Sequence, residues 1–507
     1  MTEPSASSTP APAPSTPGGF PPIPDHADPE HQGGVTPTST ARPDAAASDS
    51  VVRGTQDVTL VILGASGDLT HRLLLPGLGT LLNASGRYRV TVIGAAVDDV
   101  TPQAWEQRVR DALGEAQTRQ ARIADVVSRT RYVQLDVTDP AQIGSLVSSL
   151  PPDSVLYFAL PPTVALKSCE TLVGAQLPSG LRLALEKPFG TSRDSAHALN
   201  ALLLKLVPER QIFRIDHFLG KATVLNLLGL RFTNRIFEPI WNSAHIESVQ
   251  IVVDEALALE GRAGYYDRNG ALKDMIQSHL LLVLALFAME EVASIDEREV
   301  RDLIAHTLRV TNLWTGDPAS SSRRARYTAG QIGDEAVPDY VDEPGVDASR
   351  NTETLAEVDL RIDNARWAGV KFTLRSGKAL GDRRNGITVV FKAIGHKPVG
   401  FTGEVARNVL YIGMKPETIA LQISTNGAGD KFELDETVLA AELDDSPLRP
   451  YGEILEFLFA CNPILSVRGD VAEECWRIVE PVLAAWSADQ VPLSTYRAGW
   501  AGPTDWE

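Results

Sequence analysis

Cysteine, aromatic residues and long apolar runs are all scarce in this 507-residue chain, which has three cysteines and 6% aromatic residues. Cys169, Cys461 and Cys475 have neither the spacing of metal ligands nor that of a disulfide framework. The sequence therefore excludes a zinc module and a disulfide-stapled secreted domain, and no metal site is predicted. All three cysteines lie in apolar helical contexts, so we expect small core residues in a reducing, cytoplasmic setting.

No apolar run reaches the length of a membrane span. The strongest, at residues 280–288, is short and is flanked by His279 and Glu290. The first residues have neither a basic nor an apolar region, so we expect no secretion signal. Positive charge is also scarce, since 47 Lys and Arg face 65 Asp and Glu, a net charge of −18. This charge disfavours nucleic acid and anionic membranes as partners, and a phosphorylated ligand would need a local cluster of cations.

The first half of the chain predicts a Rossmann-like α/β domain. Residues 1–56 are rich in Pro, Ala and Ser, and we expect them to be disordered. From residue 57, nearly continuous apolar strands alternate with helical patterns, which favours a parallel sheet covered on both faces and a dinucleotide-binding domain over 57–215. Strands are predicted at 58–63, 89–94, 131–135, 154–160 and 181–186. Helices are predicted at 68–83, 102–115, 117–128, 139–148, 163–176 and 192–206.

The second half predicts a larger α+β domain over 216–507. A helix at 217–229, an alternating strand within 247–257 and helices at 269–290 and 295–313 come first. Strands then follow one another directly, which favours a mainly antiparallel sheet. They are predicted at 353–362, 370–375, 386–393, 408–413, 417–424 and 431–436. Helices at 450–460 and 469–487 close the chain.

A glycine turn near the start of the first domain is a candidate cofactor site. Residues 58–69 read as a strand, a turn and the start of a helix. Glycines let the backbone approach a pyrophosphate, and the helix N-terminus offers N–H groups and positive dipole charge. The G-x-x-G spacing is not the G-x-G-x-x-G fingerprint, so an ordinary tight turn is the alternative. The candidate contacts are Gly64, Ser66, Gly67, Asp68 and Leu69.

Charged residues follow the last strands of the first domain. Lys187 emerges at the sheet edge where open α/β sheets bind ligands, and could hydrogen-bond substrate and nicotinamide. A surface lysine is the alternative. If a helix starts at Asp216 or His217, then His217 and Lys221 share one face and offer two cationic donors to a phosphate. Asp216 is either an N-cap or the carboxylate that orients a catalytic imidazole.

Further candidate residues lie in the second domain. His279 is on the apolar face of the predicted helix at 269–290, where a lone histidine is often a core residue. Asp274 is five residues earlier, about 140° around the helix axis, so the two cannot stack on one face but could border one cavity. Lys378 and Arg383 add positive charge after a strand, although a glycine before Lys378 is also what a strand-end turn requires.

Together these segments resemble the glucose-6-phosphate dehydrogenase family over roughly residues 57–505. The matching segments, in chain order, are Gly64–Leu69 (GASGDL), Glu186–Gly190 (EKPFG), Arg214–Lys221 (RIDHFLGK), Arg231–Asn234 (RFTN), Glu260–Asp267 (EGRAGYYD), Gly270–His279 (GALKDMIQSH), Trp367–Phe372 (WAGVKF), Arg375–Lys378 (RSGK) and Pro492–Tyr496 (PLSTY).

The resemblance implies an NAD(P)-dependent oxidoreductase that oxidises C1 of glucose 6-phosphate, the first step of the oxidative pentose phosphate pathway. It implies that His279 is the general base, that Asp216 orients it, and that Lys187 bridges sugar and cofactor. It also implies a homodimer or homotetramer, for which a large sheet would suit the interface. The implied sugar and phosphate contacts are His217, Lys221, Glu255, Asp274, Lys378 and Arg383.

The phosphate end of the pattern departs from the family. Leu73 stands where the family usually has a lysine, and Phe218 where it has a tyrosine. Losing a cation and a hydroxyl from a phosphate site removes bonds worth about 1.5–3 kcal/mol each when they are charge-assisted. Substrate affinity or identity is therefore open.

The cofactor end departs as well. Val97 replaces an arginine that the family commonly uses for the 2′-phosphate of NADP, and Asp98 follows it. An acidic side chain there accepts from the ribose 2′-hydroxyl of NAD and repels a 2′-phosphate. The residues favour NAD or dual use, whereas the family favours NADP. An alternative is that Asp98 only begins a loop.

Three functions remain compatible with the sequence. The first is an active glucose-6-phosphate dehydrogenase. The second is a dehydrogenase of another sugar or sugar phosphate on the same scaffold, since the strand–Glu–Lys–Pro pattern also occurs in glucose–fructose oxidoreductase-like enzymes. The third is a non-catalytic regulatory paralogue, against which the joint retention of a base and its orienting carboxylate weighs.

Overall fold

Mostly buried aliphatic strands, with the more exposed β3 at one edge, build the first sheet of the structure, a computed structural model that describes residues 55–444 and 446–506. The strands are β1 (Gln56–Leu63), β2 (Tyr88–Ala96), β3 (Arg131–Gln134), β4 (Val155–Phe158), β5 (Arg182–Glu186) and β6 (Ile212–Ile215). All pairs are parallel and the order is β3-β2-β1-β4-β5-β6. This is the doubly wound order of a dinucleotide-binding domain, as predicted.

Helices connect these strands. They are α1 (Leu75–Ala84), α2 (Pro102–Glu115), α3 (Gln120–Val127), α4 (Pro140–Ser148), α5 (Pro162–Thr171) and α6 (Arg193–Leu206), with a π-helical turn at Thr70–Leu74 before α1. Every residue of β4 is buried, as a parallel sheet covered on both faces requires. The predicted tail at 1–56 lies outside the described residues, except for positions 55 and 56.

The second sheet is larger and mixed. Its strands, together with a separate β10–β11 hairpin, are β7 (Ile246–Asp254), β8 (Thr311–Leu313), β9 (Ser322–Thr328), β10 (Gly330–Ile332), β11 (Glu335–Val337), β12 (Leu355–Ile362), β13 (Lys371–Gly377), β14 (Asn385–Phe391), β15 (Val409–Met414), β16 (Glu417–Asn426), β17 (Leu434–Glu442) and β18 (Leu493–Arg497). The order is β17-β16-β15-β14-β7-β13-β12-β9-β18, and β8 pairs with β12. Most pairs are antiparallel, as predicted, but β7–β13 and β9–β18 are parallel.

The helices of the second half are α7 (Ala222–Phe232), α8 (Ala263–Ala271), α9 (Leu281–Ala288), α10 (Glu297–Arg309), α11 (Pro450–Phe459) and α12 (Gly469–Ser487). A π-helical segment, Leu272–Leu280, joins α8 to α9. Short 3₁₀ turns occur at Glu209–Gln211, Glu238–Ile240, Tyr340–Asp342, Ala348–Arg350, Pro463–Leu465 and Thr504–Trp506.

Several predicted boundaries were wrong. The helix predicted from 217 begins at Ala222, because residues 217–220 form a turn after β6. The helix predicted to 313 ends at Arg309, and residues 311–313 form β8 instead. The strand predicted at 431–436 lies at 434–442. Strands β6, β8, β9, β10, β11 and β18 were not predicted.

Two sequence expectations concern burial. Cys169 and Cys475 are buried free thiols, as expected, but Cys461 is only half-buried because it follows the end of α11. The helical stretch Ala263–Ala288 is long and apolar enough, by composition alone, to cross a membrane. However, 83% of its most apolar window is buried inside the protein, as in the central helix of a globular core.

Candidate active site

Candidate site residues gather at the carboxyl edge of the parallel sheet. Gly64 follows β1, Lys187 follows β5 and Asp216 follows β6. Because all six strands run parallel, their carboxyl ends share one edge, and the strand order reverses between β1 and β4. Ligands of open α/β sheets bind at this switch point.

The β1 turn fits a dinucleotide. Gly64 has φ +84°, and a Cβ added there would lie 2.2 Å from the Ala159 carbonyl oxygen, so only glycine fits. The N–H groups of Gly64 and Ala65 both donate to the Ala95 carbonyl, which ties the turn to β2. The helix begins at Asp68, so its first N–H groups, at Asp68 and Leu69, have no preceding helical carbonyl and can receive an anion.

The end of β2 brings an acidic side chain to this turn. Ser66 Oγ donates a short hydrogen bond to Asp98 Oδ2. Tyr132 and Gln134, at β3, hold the main chain of Asp98 and Val97 through bonds of 2.8 and 2.9 Å. The Val97 side chain is 62% exposed. The carboxylate is therefore fixed beside the predicted dinucleotide loop, where the adenosine ribose of such a cofactor lies.

A buried carboxylate–imidazole pair lies at the centre of the site. His279 Nδ1 and Asp216 Oδ1 are 2.6 Å apart, and both side chains are at most 1% exposed. The N–H of Phe218 also donates to Asp216 Oδ1, at 3.0 Å. Asp216 therefore holds the imidazole and closes a turn, whereas the alternative of a helix N-cap was wrong because α7 starts only at Ala222. With its Nδ1–H directed at Asp216, neutral His279 keeps Nε2 as a proton acceptor.

The electrostatics of the pair suit a base. Burial alone would raise the pKa of Asp216, but the charge and hydrogen bond of His279, with His217 and Lys187, lower it to about 2. Burial lowers the pKa of His279, and the opposing attraction of Asp216 does not outweigh it. At neutral pH the pair is therefore an ionised carboxylate beside a neutral imidazole.

Asp274 lies next to Lys187. Lys187 Nζ donates to the Asp274 main-chain carbonyl at 2.6 Å and to Asp274 Oδ1 at 3.3 Å. Burial raises the pKa of Asp274, but Lys187 and His279 lower it below its ordinary value. Asp274 and His279 both lie in the π-helical segment, where hydrogen bonds join residues five apart. The expected 140° separation assumed an α-helix, but the expectation that both residues could border one cavity agrees with the effect of each residue's charge on the pKa of the other.

The predicted phosphate residues pack around Phe218. The ring of Phe218 stacks on His279, with centroids 4.3 Å apart, and Lys221 Nζ lies 3.4 Å from the Phe218 ring centroid. The ring of His217 meets that of His279 edge-on at 4.6 Å. These residues converge through a turn and not along one helix face, because α7 starts only at Ala222.

The two predicted cations differ in charge. Burial, with the nearby His279, lowers the pKa of His217 to about 3, so His217 is neutral in the free protein and not the cation that the sequence suggested. Burial lowers the pKa of Lys221 to about 8, and Lys221 therefore remains mostly charged at neutral pH.

Glu255 and Lys378 come together through the parallel pair β7–β13. Each follows the last residue of its strand, and the two strands end in register at Asp254 and Gly377. Lys378 Nζ donates to Glu255 Oε2. The charge of Lys378 lowers the pKa of Asp274, and the charge of Glu255 raises that of Lys221. Glu255 and Lys378 therefore border the same site as Asp274 and Lys221. Arg383 is exposed, and no contact in the described residues joins it to this group.

Two tyrosines at the site were not singled out by sequence reasoning. The Tyr265 hydroxyl donates to Asp274 Oδ1 at 3.2 Å. The Tyr451 ring, from α11, stacks on His217 with centroids 6.4 Å apart. The paired tyrosines of the loop at 260–267 were a signal for Tyr265, whereas nothing near Tyr451 in the sequence points to the site.

Fold and site together define a class of protein. A glycine turn at the switch point of a doubly wound sheet, beside a lysine and a carboxylate-oriented histidine, is the arrangement of a nicotinamide-dinucleotide-dependent dehydrogenase. Within residues 55–444 and 446–506, no group of three or more His, Cys, Asp or Glu side chains is arranged to hold a metal ion.

Comparison with known proteins gives the family. Residues 61–226 match the family model "Glucose-6-phosphate dehydrogenase, NAD binding domain", and residues 228–507 match "Glucose-6-phosphate dehydrogenase, C-terminal domain". The chain belongs to the glucose-6-phosphate dehydrogenase family, as the sequence motifs indicated.

Relatives and solved structures agree with this assignment. The chain is 38% identical to the glucose-6-phosphate 1-dehydrogenase of Gluconobacter oxydans, over 87% of this chain and 94% of that protein. It is 35% identical to that of Treponema pallidum, over 88% and 92%. A structure of glucose-6-phosphate dehydrogenase in complex with glucose 6-phosphate is similar with a TM-score of 0.81 at 27% identity, covering 89% of this chain and 96% of that one. The enzyme from Mycobacterium avium gives 0.78 at 31%, with the same coverage.

Proposed function

We propose that this protein is a glucose-6-phosphate dehydrogenase. It oxidises C1 of glucose 6-phosphate to the lactone with hydride transfer to a nicotinamide dinucleotide, the first step of the oxidative pentose phosphate pathway. The observation that carries the proposal is the buried Asp216–His279 pair, with 2.6 Å between Oδ1 and Nδ1, beside Lys187 at the edge of the dinucleotide-binding sheet.

In this mechanism His279 removes the proton from the C1 hydroxyl through Nε2. Asp216 holds the imidazole in the tautomer that leaves Nε2 free, and stabilises the imidazolium that forms. A nicotinamide dinucleotide held at the turn after β1 would supply the hydride acceptor for C1. Lys187, already held by Asp274, positions the reacting end of the sugar against the cofactor site.

Sugar and phosphate are bound by residues of both sheets. We assign the phosphate to Lys221 and His217, because Lys221 is the charged member of that group and the dianion favours protonation of His217. Glu255, Asp274 and Lys378 take the sugar hydroxyls. Arg383, which is exposed, is assigned to the substrate on the family resemblance alone.

We propose that the cofactor binds at Gly64, Ser66, Gly67, Asp68 and Leu69. The family favours NADP. In this chain, however, Asp98 is fixed against Ser66 and favours NAD, and we therefore propose that the chain uses NAD at least as well as NADP. Exposed Val97 supplies no cation for a 2′-phosphate.

Replacing Val97 by Arg and Asp98 by Gln tests the cofactor assignment. A guanidinium gains the 2′-phosphate and the carboxylate no longer repels it, so the NADP-to-NAD ratio of kcat/KM should rise roughly 10- to 100-fold, from a charge-assisted bond of about 1.5–3 kcal/mol. Val97→Leu is the matched control and should leave the ratio unchanged. If the double variant has the same NADP-to-NAD ratio of kcat/KM as wild type, then residues elsewhere recognise the 2′ position.

We propose that the chain assembles as a homodimer or homotetramer through its large sheet and works in the cytoplasm. The outermost strand, β17, exposes apolar side chains at Val438 and Leu439, and an exposed apolar edge strand is a surface that proteins normally cover. The three cysteines are free, which suits a reducing compartment.

Absorbance of the reduced nicotinamide tests the proposed function directly. Purified protein is mixed with glucose 6-phosphate and NADP or NAD, and with free glucose as the control sugar. Turnover of the phosphate but not of glucose is expected. Turnover of glucose or another sugar alone would select a dehydrogenase of different specificity, which the loss of a hydroxyl at Phe218 makes a real alternative. Binding without turnover would select a regulatory paralogue.

A further inference from the structure

The π-helical segment that carries Asp274 and His279 is capped by Glu353, a residue about 80 positions later in the chain. Gly270 has φ +65° and ψ 176°, which interrupts the helical backbone, so the helix restarts at Ala271. The first N–H groups of a helix have no intrahelical partner. Here the Leu272 N–H donates to Glu353 Oε1 at 3.0 Å, and the Ala271 N–H reaches the Glu353 carbonyl at 3.4 Å. Glu353 therefore satisfies both groups, one with its side chain and one with its main chain.

Close packing fixes the Glu353 carboxylate against Gly270. A Cβ added at Gly270 would lie 2.2 Å from Glu353 Oε1 and 2.6 Å from Oε2, well inside van der Waals contact. The carboxylate thus rests on the bare glycine Cα, and the positive φ at that position also requires glycine. The kink at Gly270 therefore provides the space that the Glu353 carboxylate occupies.

The same stretch of chain supports the other side of the sugar site. Thr354, next to Glu353, accepts a 2.9 Å hydrogen bond from the Lys378 N–H through its carbonyl. Glu353 and Thr354 immediately precede β12 of the large sheet. One rigid strand start therefore positions both the π-helical segment and Lys378.

Glu353 is an isolated buried acid. It is 7% exposed, and no ion pair joins it to another residue of the described chain. Burial raises its pKa to about 7, although the Leu272 N–H and the charges of Lys273 and Arg324 oppose this. The hydroxyls of Tyr266 and Tyr340 are the other titratable groups that face it. The carboxyl is thus divided between its two forms near neutral pH.

We propose that Glu353 is a positioning residue for the dehydrogenase reaction, holding Asp274 and His279 in register by capping the segment on which both lie. This inference rests on the proposed function. A carboxylate accepts the Leu272 N–H more strongly than a neutral acid does, and it also complements the positive end of the helix dipole. Protonation of Glu353 therefore loosens the start of the segment and weakens the placement of Asp274 on Lys187.

Two substitutions separate the hydrogen bond from the charge. Glu353→Gln keeps an acceptor for the Leu272 N–H but never ionises, whereas Glu353→Met keeps the volume without the acceptor. We expect Glu353→Met to lower kcat/KM for glucose 6-phosphate about 10-fold or more, because it leaves the buried Leu272 N–H without an acceptor. Glu353→Gln, which keeps an acceptor, should retain most of the wild-type kcat/KM. The KM for the dinucleotide should not change, because Gly64 and its turn are untouched.

The dependence of the sugar-phosphate KM on pH distinguishes a positioning role of Glu353 from a purely structural one, which would not change this dependence. In the wild type, the KM for the sugar phosphate should rise as pH falls through about 7, and this inflection should vanish in Glu353→Gln. Glu357→Gln is the matched control, because Glu357, in β12 four residues after Glu353, is a buried acid with a raised pKa, and its carboxylate pairs with Arg323 instead of capping a helix. It should keep the wild-type profile.

Three results would overturn the inference: wild-type kinetics in Glu353→Met, an unchanged inflection in Glu353→Gln, or an equal loss in Glu357→Gln. If Glu353→Met does not fold, the pH dependence of KM in Glu353→Gln is sufficient to test the inference. Failure of the proposed function is recognised separately, because wild-type protein would then not oxidise glucose 6-phosphate at any pH.

Discussion

At the scale of single residues, the proposed chemistry depends on one carboxylate, Asp216, that is ionised at neutral pH. Asp216 is fully buried, yet its pKa is lowered to about 2, because His279 and its hydrogen bond outweigh the cost of burial. A buried, paired carboxylate has one function that a surface one lacks: it fixes the tautomer of the imidazole. In the proposed mechanism, the proton acceptor is thus oriented before substrate binds.

Asp216→Asn should separate orientation from charge. We expect kcat to fall by about 10²- to 10⁴-fold, the contribution of a general base, because an amide favours the wrong imidazole tautomer. Asp216 raises the pKa of His279 against the larger effect of burial, so its removal lowers that pKa further. Because the reaction needs neutral His279, the acid limb of the pH–kcat profile should move to lower pH.

Measuring kcat from about pH 5 to 9 for wild type and Asp216→Asn checks this prediction. Asp470→Asn, at the start of α12, is a control that should leave the profile unchanged. An acid limb that moves to higher pH, or a variant with undiminished kcat, would contradict the assigned role of Asp216.

Most members of the site could be named from the sequence, but their geometry could not. Local motifs indicated Lys187, Asp216, Lys221 and His279, and the structure brings these together. The charge of His217 was wrongly predicted, because burial beside His279 depends on tertiary packing that spacing does not reveal. Tyr451 was missed for a related reason, since it reaches the site from α11, far along the chain.

At the scale of secondary-structure elements, the π-helical segment Leu272–Leu280 has the largest effect on function. The apolar periodicity of the sequence predicts a helix there, but it does not distinguish hydrogen bonds four apart from bonds five apart. The angle between Asp274 and His279 was therefore derived for the wrong helix type. Missed strands have another cause: β9 carries Arg323, Arg324 and Arg326, and its polar sequence becomes a strand only because partners on both sides pair with it.

The β1 turn provides an element-scale prediction. Gly64→Ala places a Cβ 2.2 Å from the Ala159 carbonyl oxygen at φ +84°, so it should destabilise the protein by about 2–4 kcal/mol from left-handed strain and overpacking. Gly67→Ala meets only the Gly64 carbonyl, at 3.3 Å, and should cost little stability. If the turn approaches a pyrophosphate, Gly67→Ala should instead raise the KM for the dinucleotide.

Denaturant unfolding and steady-state kinetics of the two variants test this pair. Equal stability losses would contradict the steric argument for Gly64. An unchanged dinucleotide KM in Gly67→Ala would remove Gly67 from the cofactor contacts.

At the scale of the whole molecule, two sheets of different type contribute to one site. The parallel arrangement of the first sheet followed from its alternating pattern of strands and helices, although its strand order was not predicted. The parallel pairing of β7 with β13 did not, because these strands are more than a hundred residues apart and their antiparallel neighbours dominate the pattern. That pairing sets Glu255 beside Lys378, which no local signal predicts.

The exposed face of β17 gives a prediction for assembly. Leu439 is 55% exposed, and a buried charge in its place would be costly, so Leu439→Asp should shift an oligomer toward monomer without lowering the melting temperature of the subunit fold. Ile295, 59% exposed before α10, is the matched control, and Ile295→Asp should leave the mass unchanged. Light scattering after size-exclusion chromatography measures both. Dissociation by Ile295→Asp alone would place the interface elsewhere.

Wild type and His279→Asn can be compared in two measurements: turnover of glucose 6-phosphate with NADP and NAD, and calorimetric binding of the sugar phosphate. We expect turnover to fall by about 10³-fold or more, because the proton acceptor is gone, while the Kd stays within about 3-fold. Turnover that survives this substitution would show that His279, held by Asp216, is not the base.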